Sequence, residues 1–353
     1  MIQERIFRDG TVQAVALRCR LSENSSVLIY HFRPTSKNPG ARDAGPPGAR
    51  ALATFMKRAS LILIVLLTTT MSVFPQLTPA GKWTVETFVD YGFIEPNITY
   101  VKVDGLELKL DVYRPKVKET KPLPTLIFIH GGGWRRGSKE GYSLRVLPWM
   151  EKGWAVVNVE YRMTETARAP AAVEDCRCAL RWVVANAKQY GFDTDKIVVS
   201  GQSAGGHLAL MTGMATNEKA FDKNCPGPEV KVAAIVNWFG ITDVGDLLEG
   251  KNKTEFASNW IGKDRLGETD LVRLVSPLTY VRPGLPPIIT IHGDSDPLVP
   301  YVHAVRLHEG LDKAKVVNRL FTIKKGDHGD FTKEYSVRAY EVIFRFLEKA
   351  GLQ

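Results

Sequence analysis

The chain has 353 residues, of which 44% are hydrophobic and 24% are charged. This is ordinary globular composition, with enough length for one large core or two modest ones, so it excludes a disordered chain and a disulfide-dense mini-protein. Residues 1–58 hold ten Lys or Arg against four Asp or Glu, and so carry two thirds of the formal net charge of +9. Because the remainder has little excess positive charge, we expect no nucleic-acid partner.

The four cysteines, Cys19, Cys176, Cys178 and Cys225, contain no C-x-x-C pair. Cys176 and Cys178 lie two positions apart in a predicted helix, so their side chains point to different faces. We therefore expect neither a zinc site nor a disulfide framework.

The first 80 residues do not resemble the rest of the chain. Residues 1–55 show no sustained hydrophobic period, and residues 33–50 are rich in Pro, Gly, Ala and Arg, which predicts disorder. Residues 56–80 begin with Met56-Lys57-Arg58, continue into an apolar run and end in small residues, which is the pattern of a secretory signal peptide.

The apolar run of this segment also bears on membrane anchoring. Its unbroken part, residues 61–67, is much shorter than the roughly 20 residues of a membrane anchor, which favours export over an uncleaved anchor. Because a signal peptide begins a protein, we expect Met56 to be the true start and residues 1–55 to be an over-extended reading frame.

Residues 81–353 read as one α/β domain. A hairpin comes first, over residues 98–103 and 106–112, with Asp104-Gly105 at the turn. Six mostly apolar runs follow, and runs that do not alternate are typical of strands buried on both faces of a parallel sheet. The runs cover residues 126–129, 155–159, 197–199, 232–236, 288–291 and 316–323.

Helical periods lie between these runs, most clearly over residues 173–187 and 334–349. A hairpin followed by alternating strands and helices predicts a mostly parallel central sheet with helices on both faces. Residues 242–287 lack a core-strand signal and contain short helical pieces, so we predict a small cap insertion there.

The strongest local signal is the G-x-S-x-G motif Gly201-Gln202-Ser203-Ala204-Gly205, placed between a buried strand and a helix. A sharp turn from strand to helix forces its middle residue into a strained conformation, and small neighbours let the turn close. Ser203 is thereby held clear of the sheet at a helix N-terminus, which predicts a nucleophile.

A serine nucleophile needs a base and an orienting acid, which in this kind of sheet follow in the order Asp or Glu, then His. His328 lies in a polar, glycine-rich loop directly after the last predicted strand, which favours it as the base. His303 and His308 share one amphipathic segment, residues 301–311, where a packing or surface role is expected.

Two aspartates compete for the role of the acid, because both follow the strand over residues 288–291. Asp296, which precedes Pro297, is the predicted acid. Asp294 is expected to hold the loop by bonding to its own backbone.

Three glycines follow the strand over residues 126–129, in His130-Gly131-Gly132-Gly133-Trp134. Backbone N–H groups are suitable oxyanion donors, so we predict an oxyanion hole made by Gly132, Gly133 and Ala204. A phosphate cradle is the rival interpretation, but neither G-x-G-x-x-G nor G-x-x-x-x-G-K-[ST] is present.

Together these segments resemble the α/β-hydrolase superfamily. Within it they are most similar to bacterial hormone-sensitive-lipase-like esterases and to bifunctional feruloyl and acetyl-xylan esterases. The resemblance covers roughly residues 89–347 and implies a triad of Ser203, Asp296 and His328. The segments that carry it are His130–Trp134, Glu160-Tyr161-Arg162, Glu174-Asp175, Gly201–His207, His292–Pro300 and His328-Gly329.

The chain departs from hormone-sensitive-lipase-like members at one point. They usually carry a longer N-terminal helical cap, whereas little structure is evident over residues 81–98. This departure favours the more open, exported esterases.

Three further residues have two interpretations each. Trp134 and Trp260 either line a pocket for an acyl or aromatic-acid group or pack in the core. Arg162 is expected to tie neighbouring loops together rather than to clamp a substrate.

The sequence therefore predicts an exported serine esterase acting through an acyl-enzyme, on acyl groups carried by carbohydrates. We expect no metal or organic cofactor and no stable membrane anchor. Two alternatives remain open, namely an amide hydrolase of the arylformamidase or exopeptidase type and a hydrolase-fold binding protein without turnover.

Overall fold

The computed structural model describes residues 3–9, 12–22, 25–34, 92–116 and 121–352, with side chains described in the last two ranges. The chain divides into two units, Met1–Gln76 and Leu77–Gln353. The predicted signal peptide, residues 56–80, lies outside the described residues.

The first unit contains a three-stranded antiparallel sheet, ordered β1-β2-β3. Its strands are β1 (Gln3–Asp9), β2 (Val12–Ser22) and β3 (Ser25–Pro34). The prediction of disorder is therefore wrong over these three strands. Val15, Leu17 and Cys19 alternate with smaller or charged residues in β2, and antiparallel pairing satisfies the backbone of such short alternating segments.

The second unit is built on an eight-stranded sheet with the order β11-β10-β9-β8-β6-β7-β5-β4. β4 and β5 form the predicted hairpin, β5 pairs antiparallel with β7, and the other neighbours are parallel. This confirms the predicted mostly parallel sheet. The strands are β4 (Gly92–Val103), β5 (Leu106–Pro115), β6 (Leu123–Ile129), β7 (Ala155–Val159), β8 (Phe192–Gln202), β9 (Ala234–Trp238), β10 (Ile288–Gly293) and β11 (Asn318–Ile323).

The apolar runs form central strands because the sheet has a core on each face. In β6, Ile127 and Ile129 belong to one core cluster, and Leu126 and Phe128 belong to the other. All five residues of β7 are buried. A strand that buries both faces has no polar face to alternate with, which explains the unbroken apolar runs.

Eight α-helices of the described residues cover the sheet, and their sequence patterns follow their burial. The innermost, α4, is buried along its whole length, whereas α8 is amphipathic. The helices are α1 (Leu147–Glu151), α2 (Ala171–Ala185), α3 (Ala187–Tyr190), α4 (Ala204–Met214), α5 (Glu255–Ile261), α6 (Thr269–Leu274), α7 (Val302–Lys313) and α8 (Lys333–Lys349).

Residues 242–287, all of which the structure describes, contain no strand, as predicted. They hold α5, α6 and four short 3-10 turns. Leu247, Trp260 and Val275 are fully buried and belong to one of the two core clusters. This segment is therefore packed onto the core of the second unit.

A disulfide joins Cys178 in α2 to Cys225, with Cα atoms 5.5 Å apart, while Cys176 is free and buried. The expectation that the cysteines form no disulfide is wrong. The helix does separate the two neighbouring cysteines, and it directs Cys178 toward a segment 47 residues later in the chain. No spacing motif indicates so distant a partner.

Candidate active site

Ser203 lies between the end of β8 and the start of α4, with φ 55° and ψ −119°. The two flanking glycines make this turn possible. A Cβ on Gly201 would lie 2.2 Å from the carbonyl oxygen of Gly205, and a Cβ on Gly205 would lie 2.1 Å from that of Ile129. The G-x-S-x-G spacing is therefore a steric requirement of the turn that presents Ser203.

His328 links Ser203 to Asp296, in agreement with the sequence prediction. Its Nε2 lies 2.8 Å from Ser203 Oγ and its Nδ1 lies 2.6 Å from Asp296 Oδ2. A carboxylate oxygen only accepts, so Nδ1 carries the proton and Nε2 is free to accept the proton of Ser203. The three side chains thus form a hydrogen-bonded chain from the serine to a buried carboxylate.

Both oxygens of Asp296 have hydrogen-bond partners. Oδ1 accepts from the backbone N–H groups of Leu298 (2.8 Å) and Val299 (2.9 Å). Burial by itself would raise the pKa of Asp296, but hydrogen bonds with His292 and His328 outweigh it and hold this pKa below its usual range. The carboxylate therefore stays ionised, as a group that stabilises an imidazolium must.

Asp294 holds a different loop from the one predicted. Its Oδ1 accepts from the backbone N–H of Lys325 at 2.6 Å, and its Oδ2 lies 3.2 Å from Lys324 Nζ. It therefore fastens the start of the loop that carries His328, rather than its own turn. It is Asp296 that bonds to the backbone of the turn in which it lies.

His292 also belongs to the site, a role that no sequence motif assigned to it. Its buried Nε2 lies 2.9 Å from the carbonyl oxygen of Val299 and 3.1 Å from Asp296 Oδ2. Both oxygens are acceptors, so Nε2 carries a proton shared between them. His292 therefore restrains Oδ2, the carboxylate oxygen that the backbone N–H groups of Leu298 and Val299 do not bind. Its position four residues before Asp296 is the only signal in the sequence.

The predicted oxyanion-hole glycines lie beside Ser203. Gly132 and Gly133 have φ of 121° and 62°, and a Cβ on Gly132 would lie 1.8 Å from the carbonyl oxygen of Arg136, so this loop requires glycine. Within residues 92–116 and 121–352, neither glycine N–H donates a hydrogen bond. Ala204 is the first residue of α4, where an N–H has no partner within the helix.

The two tryptophans do not line the site, so the pocket interpretation of Trp134 and Trp260 is wrong. Both are fully buried and stack on each other, with ring centroids 4.2 Å apart. The aromatic rings that do line the cleft at Ser203 are those of Tyr142, Phe239 and Phe256. The pocket interpretation relied on aromatic residue type and on the glycines next to Trp134. Neither feature shows that Trp260 of α5 stacks on Trp134 in the core.

Arg162, His303 and His308 have structural roles outside the cleft. Arg162 is buried and its guanidinium contacts Glu174 (3.1 Å) and Asp175 (2.8 Å), which confirms its role in tying segments together. His303 and His308 are buried on α7, as expected for packing residues. In the part of the chain that the structure describes, no three His, Cys, Asp or Glu side chains are grouped to hold a metal ion.

The cleft above Ser203 has a volume of about 700 Å³ and is lined by Gly132, Gly133, Ser203 and His328. A serine activated by a histidine, beside preorganised N–H donors, is suited to acyl transfer. An eight-stranded, mostly parallel sheet with this arrangement at its strand ends defines an α/β-hydrolase.

Comparison with known proteins narrows this class. The BD-FAE family model matches residues 110–311, which is more than half of the chain. The chain therefore belongs to the BD-FAE family within the α/β-hydrolases.

Curated relatives and solved structures agree with this assignment. Esterase LipC of Mycobacterium tuberculosis is 32% identical over 55% of this chain and 50% of its own length. Esterase LipQ of the same organism is 28% identical over 67% of this chain and 57% of its own length. The chain thus spans about half the length of the curated relatives that it matches.

Two solved structures cover the fold more completely. A truncated carbohydrate esterase from gut microbiota has a TM-score of 0.64 and 28% identity, over 74% of this chain and 98% of that one. Esterase Est2 of Thermogutta terrifontis, bound to propionate, has a TM-score of 0.60 and 28% identity, over 73% and 94%.

Proposed function

We propose that this protein is a serine carboxylesterase that acts through an acyl-enzyme. The observation that carries the proposal is the chain of hydrogen bonds from Ser203 through His328 to Asp296, which opens on a cleft lined by Gly132 and Gly133. Ser203 is the nucleophile, His328 the base and Asp296 the orienting acid.

The reaction runs in two halves. His328 Nε2 takes the Ser203 proton as Oγ attacks the ester carbonyl carbon, and the N–H groups of Gly132, Gly133 and Ala204 stabilise the resulting oxyanion. The carbon–oxygen bond to the alcohol then breaks, and the alcohol leaves with the proton from His328. A water deprotonated by the same nitrogen attacks the acyl-enzyme, and the acid leaves as Ser203 regains its proton.

We further propose that the substrates are acyl groups carried by carbohydrates, acetyl or feruloyl esters among them. One of the similar structures is a carbohydrate esterase, and Est2 was solved with propionate and with butyrate. A cleft of about 700 Å³ has room for a sugar ring beside a short or aromatic acyl group.

Export of the protein is also a proposal. The signal-like residues 56–80 support it, and so does the Cys178–Cys225 disulfide, since disulfides persist mainly in oxidising compartments. Within the described ranges, no helix has both the length and the hydropathy to span a bilayer. N-terminal sequencing of the protein recovered outside the cytoplasm of its native cell tests this proposal, and a protein retained in the cytoplasm would contradict it.

The decisive experiment compares wild type with Ser203→Ala. The variant loses one hydroxyl from a partly exposed turn, so it should fold normally, while esterase kcat should fall by about 10⁴-fold or more. A fluorophosphonate probe should label wild type and not the variant. Turnover close to wild type in the pure variant would remove Ser203 from the mechanism.

A substrate panel decides between the proposal and its alternatives. It comprises short-chain aryl esters, acetylated xylan, methyl ferulate, N-formylkynurenine and aminoacyl anilides. Preference for the last two would indicate an amide hydrolase. Folded wild-type protein that neither turns over any of these nor reacts with the probe would be a binding protein.

A further inference from the structure

The cleft at Ser203 has an uneven distribution of charge. Three arginines, Arg135, Arg136 and Arg145, line it together with Ser203 and His328, and Glu255 is the carboxylate among its described lining residues. The cleft therefore carries an excess of positive charge. We call Arg135, Arg136 and Arg145 the arginine face.

The backbone fixes this face beside the reacting atoms. Arg136 donates its backbone N–H to the carbonyl oxygen of Gly132 at 3.1 Å, so it lies one turn beyond the oxyanion-hole glycines. Arg145 ends the 3-10 helix Glu140–Arg145, and its carbonyl oxygen accepts from the hydroxyl of Tyr340 at 3.2 Å. The arginine face is thus part of the wall that carries the glycine loop.

Among the residues whose side chains the structure describes, the three guanidinium groups differ from most other arginines because no carboxylate neutralises them. In residues 92–116 and 121–352, no Asp or Glu oxygen lies within 4 Å of any of the three. By contrast, ion pairs with Asp or Glu are made by Arg162, Arg168, Arg177, Arg181, Arg265, Arg306 and Arg345. The arginine face therefore has its charge available to a ligand.

The chemistry of the two sides of the cleft indicates what that ligand is. Guanidinium groups bind carboxylates through paired, charge-assisted hydrogen bonds. The remaining side chains of the cleft include Phe239, Phe256 and Leu298, which suit an acyl chain rather than a charge. Arg135 and Arg136 are exposed, so they lie on the solvent side of the cleft. In the carbohydrate esters proposed above the sugar is the larger half and extends toward solvent, so the alcohol half is the part that can reach these arginines.

We propose that the arginine face binds a carboxylate on the alcohol half of the substrate, so that this enzyme prefers acylated acidic sugars, such as uronic acid residues, to acylated neutral sugars. The proposal rests on the esterase function proposed above and specifies its substrate class. Glu255 adds one negative charge to the cleft against the three positive charges of the arginine face, so the cleft still favours a substrate that carries a carboxylate.

The test is a pair of substrates that differ in one group, glucuronic acid and glucose mono-O-acetylated at the same hydroxyl. At low salt, kcat/KM should be about tenfold higher for the acidic ester, and high salt should reduce this ratio because the arginines are partly solvated. A ratio of one or less for wild type would overturn the proposal.

Variants then locate the effect. Arg136→Gln and Arg145→Gln should each lower the ratio of acidic to neutral ester by about three- to tenfold, in line with one charge-assisted contact at a partly exposed site. The matched control is Arg319→Gln. Arg319 is exposed and lies at the start of β11, whereas the residues of the site follow the C-terminal ends of the strands. A ratio lowered equally by Arg319→Gln, or unchanged in both cleft variants, would contradict the assignment.

A second substrate pair distinguishes the two halves of the ester. 4-Nitrophenyl hydrogen glutarate and 4-nitrophenyl valerate place the carboxylate on the acyl half instead, and a preference for the glutarate ester would overturn the assignment to the alcohol half. Failure of the esterase function has a separate signature, since it would abolish hydrolysis of the neutral esters as well.

Discussion

The two aspartates after β10 lie two positions apart and hold different parts of the site. Asp296 accepts hydrogen bonds from His328 Nδ1, from two backbone N–H groups and from His292 Nε2. Asp294 accepts a hydrogen bond from the backbone N–H of Lys325 and forms an ion pair with the ammonium group of Lys324. One carboxylate thus orients the imidazole itself, and the other fastens the loop that carries it.

Replacing each aspartate by asparagine separates these roles. Asp296→Asn should lower kcat by up to about 10⁴-fold, because an amide cannot stabilise the imidazolium and favours the wrong tautomer of His328. Asp294→Asn keeps an oxygen for Lys325, so it should chiefly lower the thermal midpoint. Measuring kcat and Tm for both variants checks this prediction, and the reverse pattern would give the role of the acid to Asp294.

The residues of the hydrogen-bonded chain could be predicted from the sequence because each follows a strand in the order Ser, Asp, His. His292 could not, since its role depends on which oxygens its ring meets after folding. The same holds for the arginine face. A sequence shows that Arg145 is an arginine, but only the fold shows that it lines the cleft with Ser203.

Between the elements of the site, a buried aromatic cluster joins the glycine loop to α4 and α5. Trp134 stacks on Trp260, and the ring of His207 meets both edge-on, at 5.0 and 5.2 Å. His207 Nδ1 accepts from Trp134 Nε1 at 3.3 Å, so its Nε2 carries the proton and donates to the carbonyl oxygen of Val275 at 2.7 Å. The cluster therefore requires neutral His207.

This requirement gives stability a pH dependence. Burial lowers the pKa of His207 from 6.5 to about 4. Between these values the unfolded chain binds a proton that the folded chain does not, so the stabilisation is complete above pH 6.5 and is lost as the pH falls toward 4. The slope for one such group approaches ~1.4 kcal/mol per pH unit.

His207→Gln isolates this contribution, because glutamine offers both a donor and an acceptor and does not titrate. The free energy of unfolding, measured by urea denaturation from pH 7 to 4, should fall less steeply in the variant than in wild type. His130 and His303 also have pKa values lowered to about 4 by burial, so a residual slope is expected in both proteins. Identical slopes would show that His207 does not contribute.

The type and order of most elements in the second unit could be predicted, but their partners could not. The apolar runs at residues 155–159 and 288–291 match β7 and β10 closely, because a strand buried on both faces leaves a clear signal. Trp134 and Trp260 meet across 126 positions of the chain, and Cys178 meets Cys225 across 47. Such pairings depend on tertiary packing, which local patterns do not encode.

In the second unit as a whole, the site forms where parallel strands end. The glycine loop follows β6, Ser203 follows β8, Asp296 follows β10 and His328 follows β11. The C-terminal ends of neighbouring parallel strands lie side by side, so residues that follow these ends meet there although they are far apart in sequence. This is why it was enough to predict which residues follow each strand of a mostly parallel sheet, even though the predicted ends of the strands were displaced by a few residues.

The position of the whole site within the second unit leads to a prediction about truncation. Removing residues 1–80 should leave Tm and kcat/KM unchanged, because the second unit contains both core clusters and every residue of the site. A deeper truncation, starting at Leu106, is the matched control. It removes β4, whose Tyr100 and Val103 are buried, so it should lower the thermal midpoint or prevent soluble expression. Circular dichroism melts and ester hydrolysis by the chain starting at Gly81 check the prediction. Loss of soluble, active protein at that first boundary would show that residues before Gly81 take part in the catalytic domain.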